Sequence, residues 1–281
     1  MIITPLNQVV GCAIEGVSLN DVSGNELEQI HDAWLKYGVV VIKDQHLTSL
    51  EQLKFAKYFG VPDVYPFLTG LDGYPEITRV LKTPSETENF GGVWHTDTIY
   101  LERPPMASML YAIDVPAHGG DTLFANQTKA YETLSHKTKA LIQHFTAESR
   151  SDIAAVSATR PARSLSSDKR GSPHFSAIHP MVRTHPDTQS KSLYISPAHT
   201  VCIQELHSAE GDALLSELFA HQIKTEFQCR VKWDNGDLAL WDNRRLLHLP
   251  LNDYQGQKRL LPDHLKRRPA VINHIKTSPI S

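Results

Sequence analysis

From Ile77 onward the chain is a succession of short β-type runs: EITRVL, MASMLYAI, HPMVRT, SLYIS, FQCRVKW, DLALWD and RLLHLPL. Several are separated by turn chemistry such as Asp234-Asn235-Gly236-Asp237. Two helical stretches, residues 127–145 and 209–223, interrupt them. Many short strands joined by turns, with helices at one end and in one insertion, point to a mainly β domain with flanking helices, a sandwich or jelly roll.

The N-terminal portion has a different rhythm. Leu27, Ile30 and Trp34 recur at helical spacing over residues 23–37, with Ser23 and Glu26 set as a capping box and Gly38 as a stop. VVVIKD then predicts a buried strand. Thr48 and Glu51 repeat the capping box before EQLKFAKYF, which Gly60 closes. No shift in composition marks a second domain, so residues 1–281 are expected to form one.

Composition narrows the function classes. Lys and Arg number 28 against 31 Asp and Glu, which excludes the basic surplus that a nucleic-acid partner requires. No apolar run approaches the roughly 18 residues of a membrane span, and MIITPLNQVV lacks the form of a secretory signal, so a cytoplasmic protein is expected. Cys12, Cys202 and Cys229 are odd in number and widely spaced, unlike a disulfide framework or a zinc knuckle. The 15 histidines are the unusual count and direct attention to metal ligands.

One segment differs in texture. Around 150–175 the chain is rich in Ser, Ala, Arg and Pro, and a long loop of this kind inside a compact domain is functional or mobile. It is a candidate lid over a site.

GGVWHTDTIY contains His95-Thr96-Asp97; in an extended segment residues i and i+2 share a side, so an imidazole and a carboxylate would converge. With one more histidine they would form the two-His, one-carboxylate triad that holds Fe(II) and leaves three positions open. The pattern alone is weak, because His185-Pro186-Asp187 repeats it. That copy lies in THPDTQSKS between two strand-like runs and predicts a hairpin tip.

Context separates the two copies. WHTD at 94–97 is followed by GGDT at 119–122, AYE-LS at 130–135, and WDNR at 241–244 with a histidine four residues on. On these motifs, from ITPL to Arg259, the chain closely resembles the taurine dioxygenase family of Fe(II)- and 2-oxoglutarate-dependent oxygenases. The resemblance implies a double-stranded β-helix core (jelly roll, cupin-like), a homodimer or homotetramer, and O2-dependent attack on an unactivated carbon of a small molecule with release of succinate and CO2. It implies that His95, Asp97 and His248 bind iron, that Thr122 contacts the C1 end of 2-oxoglutarate, and that Arg259 holds its C5 carboxylate. A planar guanidinium suits that last task, since it grips a carboxylate through two parallel hydrogen bonds. Relatives that halogenate replace the carboxylate ligand by a small residue, so Asp97 favours hydroxylation or desaturation.

The chain departs from members that act on taurine. Their second arginine, four residues after the first, is here Asp263; Gly91 and Pro62 stand at or near an asparagine and a histidine of that pocket, while Tyr65 is kept. Tyr65, Gly91, Phe175 and Asp263 are the candidate substrate residues, Trp94, Trp233 and Trp241 are assigned to the core, and the substrate is expected to be other than taurine, with a neutral or amine-bearing group near Asp263. RLLPDHLKRRP reads as a proline-interrupted final strand. Two further classes compete: a non-catalytic metal-binding jelly-roll protein, favoured if Arg259 folds against an acidic partner, and a metal-dependent hydrolase, which lacks a general-base motif.

Overall fold

The computed structural model describes residues 1–153 and 174–267, the last six by backbone alone. Strands β1 (Ile2–Pro5) and β2 (Cys12–Glu15) precede helix α1 (Gly24–Tyr37), β3 (Val39–Ile42) and helix α2 (Ser49–Phe59). Both capping boxes form, Ser23 with Glu26 and Thr48 with Glu51, and α1 ends at Gly38 with φ 81°. β4 (Val61–Asp63), β5 (Gly70–Leu71), β6 (Tyr74–Lys82), β7 (Ala107–Tyr111) and β8 (Thr122–Asn126) follow.

The predicted helix over 127–145 is two, α3 (Gln127–Glu132) and α4 (His136–Ile142). The break has a local cause: the Ser135 hydroxyl accepts from the Thr138 amide at 3.0 Å and starts a new helix. HPMVRT also divides. β9 (Thr146–Arg150) pairs with β10 (Ser176–Pro180), whereas β11 (Val182–Thr184) turns away into a hairpin with β12 (Lys191–Leu193). β13 (Thr200–Ile203), the helix Ser208–Gln222, β14 (Gln228–Val231), β15 (Leu238–Asp242), β16 (Leu246–Pro250) and β17 (Arg259–Arg267) complete the described chain.

A large sheet runs β1-β2-β3-β15-β7-β17-β6-β5, with β4 also on β17, and a small sheet runs β14-β8-β16. β3 explains why the large sheet reads as continuously apolar. Val40 and Ile42 face the helices, joining Trp34, Phe55 and Phe59 in one core cluster, while Val39 and Val41 face the small sheet and pack with Phe124, Cys229 and Leu246 in another. β15 alternates the same way, with Leu238 and Leu240 on the helix side and Ala239 and Trp241 between the sheets. This is the jelly-roll core that the strand pattern predicts. A third cluster joins α3, α4 and the helix Ser208–Gln222.

The expected interruption at Pro262 does not occur. β17 is continuous, with Pro262 opposite Arg79 of β6, and pairing with β7 begins only at Asp263 opposite Leu110. The proline therefore stands just before its second neighbour joins, where a missing N–H costs least. Burial pushes the Cys12 and Cys229 thiols up to about 12, and all three cysteines are free. Among the described residues no helix is long and apolar enough to cross a membrane. Most of the lid expected around 150–175 lies outside the described residues.

Candidate active site

His248 sits in β16 between Leu247 and Leu249, its ring against Trp241 at 5.0 Å and stacked on Phe124 at 5.9 Å. His95 is not in a strand of its own. It makes one isolated bridge to His248, its amide donating to the His248 carbonyl at 3.1 Å and its carbonyl accepting from the His248 amide at 2.7 Å. The chain turns immediately afterwards, with Thr98 at φ 46°. Convergence of His95 and Asp97 thus comes from a bridge and a turn rather than from the side-sharing of an extended segment.

His95, Asp97 and His248 offer one ligand atom each, all within 4.8 Å of one another. The Asp97 Oδ1 lies 3.5 Å from His95 Nε2 and 3.7 Å from His248 Nε2. The tautomer of His95 follows from its partner: Nδ1 stands 2.7 Å from the Val93 carbonyl, which only accepts, so Nδ1 carries the proton and Nε2 presents its lone pair. Burial, and the neighbouring His95, push the His248 imidazole down to about 3, so it is neutral and ligand-competent at physiological pH. Burial raises the Asp97 carboxyl, but the imidazoles and the Ser108 hydroxyl outweigh it and hold Asp97 below the usual carboxylate range. Two lone pairs and a carboxylate oxygen gathered with no residue between them suit a divalent cation, and imidazole with carboxylate is the donor set of Fe(II) oxygenases.

The three ligands and Arg259 line one pocket, which encloses about 490 Å³ of space counted out to its open mouth. Arg259 opens β17 and is buried, 5% exposed. Among the described residues no carboxylate pairs with it; its guanidinium lies 3.4 Å from the Thr122 hydroxyl, and Nε has no partner. Burial lowers its pKa, and Tyr254 works against that shift. Thr122 is set by the turn before β8, in which Gly119 and Gly120 take φ values of 76° and 74° and the Gly120 amide donates to Asp253 at 2.7 Å. The Trp233 indole N–H donates to the Thr122 hydroxyl at 3.0 Å. Trp233 and Trp241 belong to the core cluster between the sheets, as expected, and both also line the pocket. Val80, Phe90, Leu110 and Phe124 also line it, and no spacing in the sequence singles them out.

The candidate substrate residues divide. Gly91 lies against His95, where a Cβ would come within 2.8 Å of the imidazole, and its φ is 73°. Tyr65 and Phe175 each pack on Phe67 at 5.7 Å, and Tyr65 also reaches the pocket residue Phe90 at 6.1 Å. The backbone of Asp263 pairs with that of Leu110; its side chain is outside the described residues. The second His-x-Asp is indeed in a hairpin loop, between β11 and β12, but His185 is buried and bonded to Asp242 at 2.8 Å.

Residues 3–267 match the model of a family described as "Taurine catabolism dioxygenase TauD, TfdA family". An alpha-ketoglutarate-dependent sulfate ester dioxygenase of Pseudomonas putida is 30% identical over 264 residues, which cover 92% of this chain and 86% of that one. A taurine dioxygenase from Burkholderia xenovorans superposes with a TM-score of 0.79 at 31% identity, covering 95% of this chain and 90% of the other. AAD-2 in complex with Mn(II) and N-oxalylglycine superposes with a TM-score of 0.79 at 27% identity, covering 95% and 98%.

Proposed function

The chain belongs to the TauD, TfdA family of dioxygenases, and from that premise we propose that it is an Fe(II)- and 2-oxoglutarate-dependent dioxygenase in which His95, Asp97 and His248 bind the metal. When bound, iron with 2-oxoglutarate and O2 supplies the oxidising power that attacks an unactivated carbon and leaves succinate and CO2. The carrying observation is the pocket itself, whose lining joins three converging ligand atoms to a buried guanidinium that, among the described residues, no carboxylate pairs. A dicarboxylate is the complement of that arrangement. An unpaired buried cation is costly unless a ligand neutralises it.

We assign Arg259 and Thr122 together to the C5 carboxylate. The resemblance puts Thr122 at the C1 end, but its hydroxyl stands 3.4 Å from the guanidinium, so it belongs with Arg259. The Trp233 N–H occupies one lone pair of that hydroxyl and leaves its proton free to donate. His95 and His248 are oriented before any metal arrives, by the Val93 carbonyl and by packing on Phe124 and Trp241. Apolar Val80, Leu110 and Phe124 line the same pocket and give it walls that disfavour water.

The non-catalytic alternative would gain if Arg259 folded against an acidic partner, and among the described residues no carboxylate is paired with it. The substrate is a small molecule other than taurine, with a neutral or amine-bearing group near Asp263, whose backbone pairs with pocket-lining Leu110. The chain is assigned to one domain, located in the cytoplasm and assembled as a homodimer or homotetramer. Anaerobic titration with Fe(II) and 2-oxoglutarate tests the core assignment. A visible metal-to-ligand charge-transfer band is expected in wild type and its loss in His95→Ala and Arg259→Ala; folded, iron-loaded wild type without the band would overturn it.

A further inference from the structure

We infer that Ser108 and Asn243 are positioning residues that confine Asp97 to a single metal-facing oxygen and thereby keep a coordination position open for the cosubstrate. The inference rests on the assignment of Asp97 as a ligand. Its two oxygens have different surroundings: Oδ1 faces both imidazoles at 3.5 and 3.7 Å, whereas Oδ2 accepts a hydrogen bond from the Ser108 hydroxyl. Ser108 lies in β7 and is fully buried.

The direction of that bond is fixed one step further out. The Asn243 amide nitrogen donates to Ser108 Oγ at 2.9 Å, so the serine's own proton is directed onto Asp97. Asn243 is held at both ends of its peptide unit. Its amide donates to the Met106 carbonyl at 3.0 Å, and its carbonyl accepts from the Thr96 hydroxyl at 2.9 Å. Thr96 precedes Asp97, so the chain of contacts closes on itself through Thr96, Asn243, Ser108 and Asp97. Thr96 is 2% and Asn243 1% exposed, so water does not compete for these bonds.

The consequence is one of counting. Two imidazoles and one carboxylate oxygen would hold the metal through three positions and would leave the others for cosubstrate and O2. A carboxylate free to rotate can offer both oxygens and consume a fourth position. Ser108 holds the second oxygen away, and Asn243 holds Ser108.

Ser108→Ala tests this, with Fe(II) affinity measured anaerobically by competition with a chromophoric chelator and the 2-oxoglutarate charge-transfer band read at full iron occupancy. The expected result is iron binding weakened about 10–100-fold, the range for outer-shell partners, and a diminished band even when iron is saturating. Ser108→Thr keeps the donor and is expected to return both toward wild type. Folded Ser108→Ala with wild-type iron affinity and a full band overturns the inference. Should Ser108→Ala fail to fold, Asn243→Ala carries the same test, with a smaller loss of affinity in the same direction expected and an unchanged affinity overturning it. Loss of thermal stability with neither readout moved would also overturn it, since that is what a merely structural hydroxyl would give. Wild type lacking the band sinks the ligand assignment instead, and so the two failures are distinguishable.

Discussion

The chain carries His-x-Asp twice, and the two copies hold opposite tautomers. At His95, Nδ1–H donates to the Val93 carbonyl and Nε2 is left with a lone pair facing Asp97 and His248. At His185 the roles reverse: Nδ1 accepts from the amides of Asp187 and Thr188 at 3.2 and 3.1 Å, and Nε2–H donates to Asp242 at 2.8 Å. One imidazole offers an electron pair to a pocket; the other has spent both nitrogens on the fold. The partner of Nδ1, set by local backbone geometry, decides which histidine can bind a metal.

The carboxylates differ as well. Asp97 keeps one oxygen turned toward the imidazoles, whereas Asp242 is surrounded by Arg244 at 2.7 Å, His185 at 2.8 Å and Arg245 at 3.7 Å. Asp187 binds Arg244 at 2.8 Å, and the Arg244 guanidinium lies 5.1 Å above the Trp34 ring. WDNR therefore serves both regions: Asp242 and Arg244 lock the β11–β12 loop to the main sheet, and Asn243 between them faces the candidate metal centre.

The sharpest way to break this contrast is to remove each histidine in turn. His95→Ala is expected to lower iron-dependent turnover, read as succinate release, by about 1,000-fold or more, with the melting temperature little changed because the His95 ring is tied to the local Val93 carbonyl and to the other ligands rather than to a distant element. His185→Ala should do the reverse, retaining iron affinity while losing about 1–3 kcal/mol of stability, because Asp242 loses a buried donor. Equal effects of the two variants on iron affinity would erase the distinction.

Next in size is Asp242→Asn. Breaking a buried pair by neutralising one partner leaves Arg244 with Asp187 as its remaining carboxylate and costs about 3–5 kcal/mol, or roughly 5–8 °C in melting temperature for a chain of this size. Differential scanning calorimetry measures it directly. A loss under about 1 kcal/mol would mean that Asp187 alone satisfies Arg244 and that the network is redundant.

Much of this architecture could be read before any coordinates. Both capping boxes, the glycine stop at Gly38, the buried VVVI run and most strands are local signals, written by residues that act on their own neighbourhood. The ligands and Arg259 came from motif context, since spacing could not choose between His95 and His185. What sequence reasoning missed is either a competition between local signals or a nonlocal contact. The break at Ser135 depended on a cap competing with helical periodicity, the tolerance of Pro262 on where β7 begins to pair, and the Ser108–Asn243 support on residues 135 apart in the chain. Trp233 is in the core, as expected, and the 3.0 Å bond to Thr122 that also ties it to the pocket is a contact no spacing announces.

The smallest effect probes the charge state of the structural network. Burial alone would raise the Asp242 carboxyl, but Arg244 and His185 hold it well below the usual carboxylate range. A carboxyl whose folded value lies below its unfolded one contributes stability that is complete above the unfolded value, about 4, and declines as pH falls toward the folded one. The stability gap between wild type and Asp242→Asn should therefore be flat from neutral pH down to about 5, then shrink below about 4 by at most about 1.4 kcal/mol per pH unit. Urea unfolding across that range provides the measurement. A gap that already narrows between pH 7 and 5 would mean that Arg244 and His185 do not hold the Asp242 carboxyl below its ordinary value, and that packing rather than charge ties the structural copy of His-x-Asp to its carboxylate.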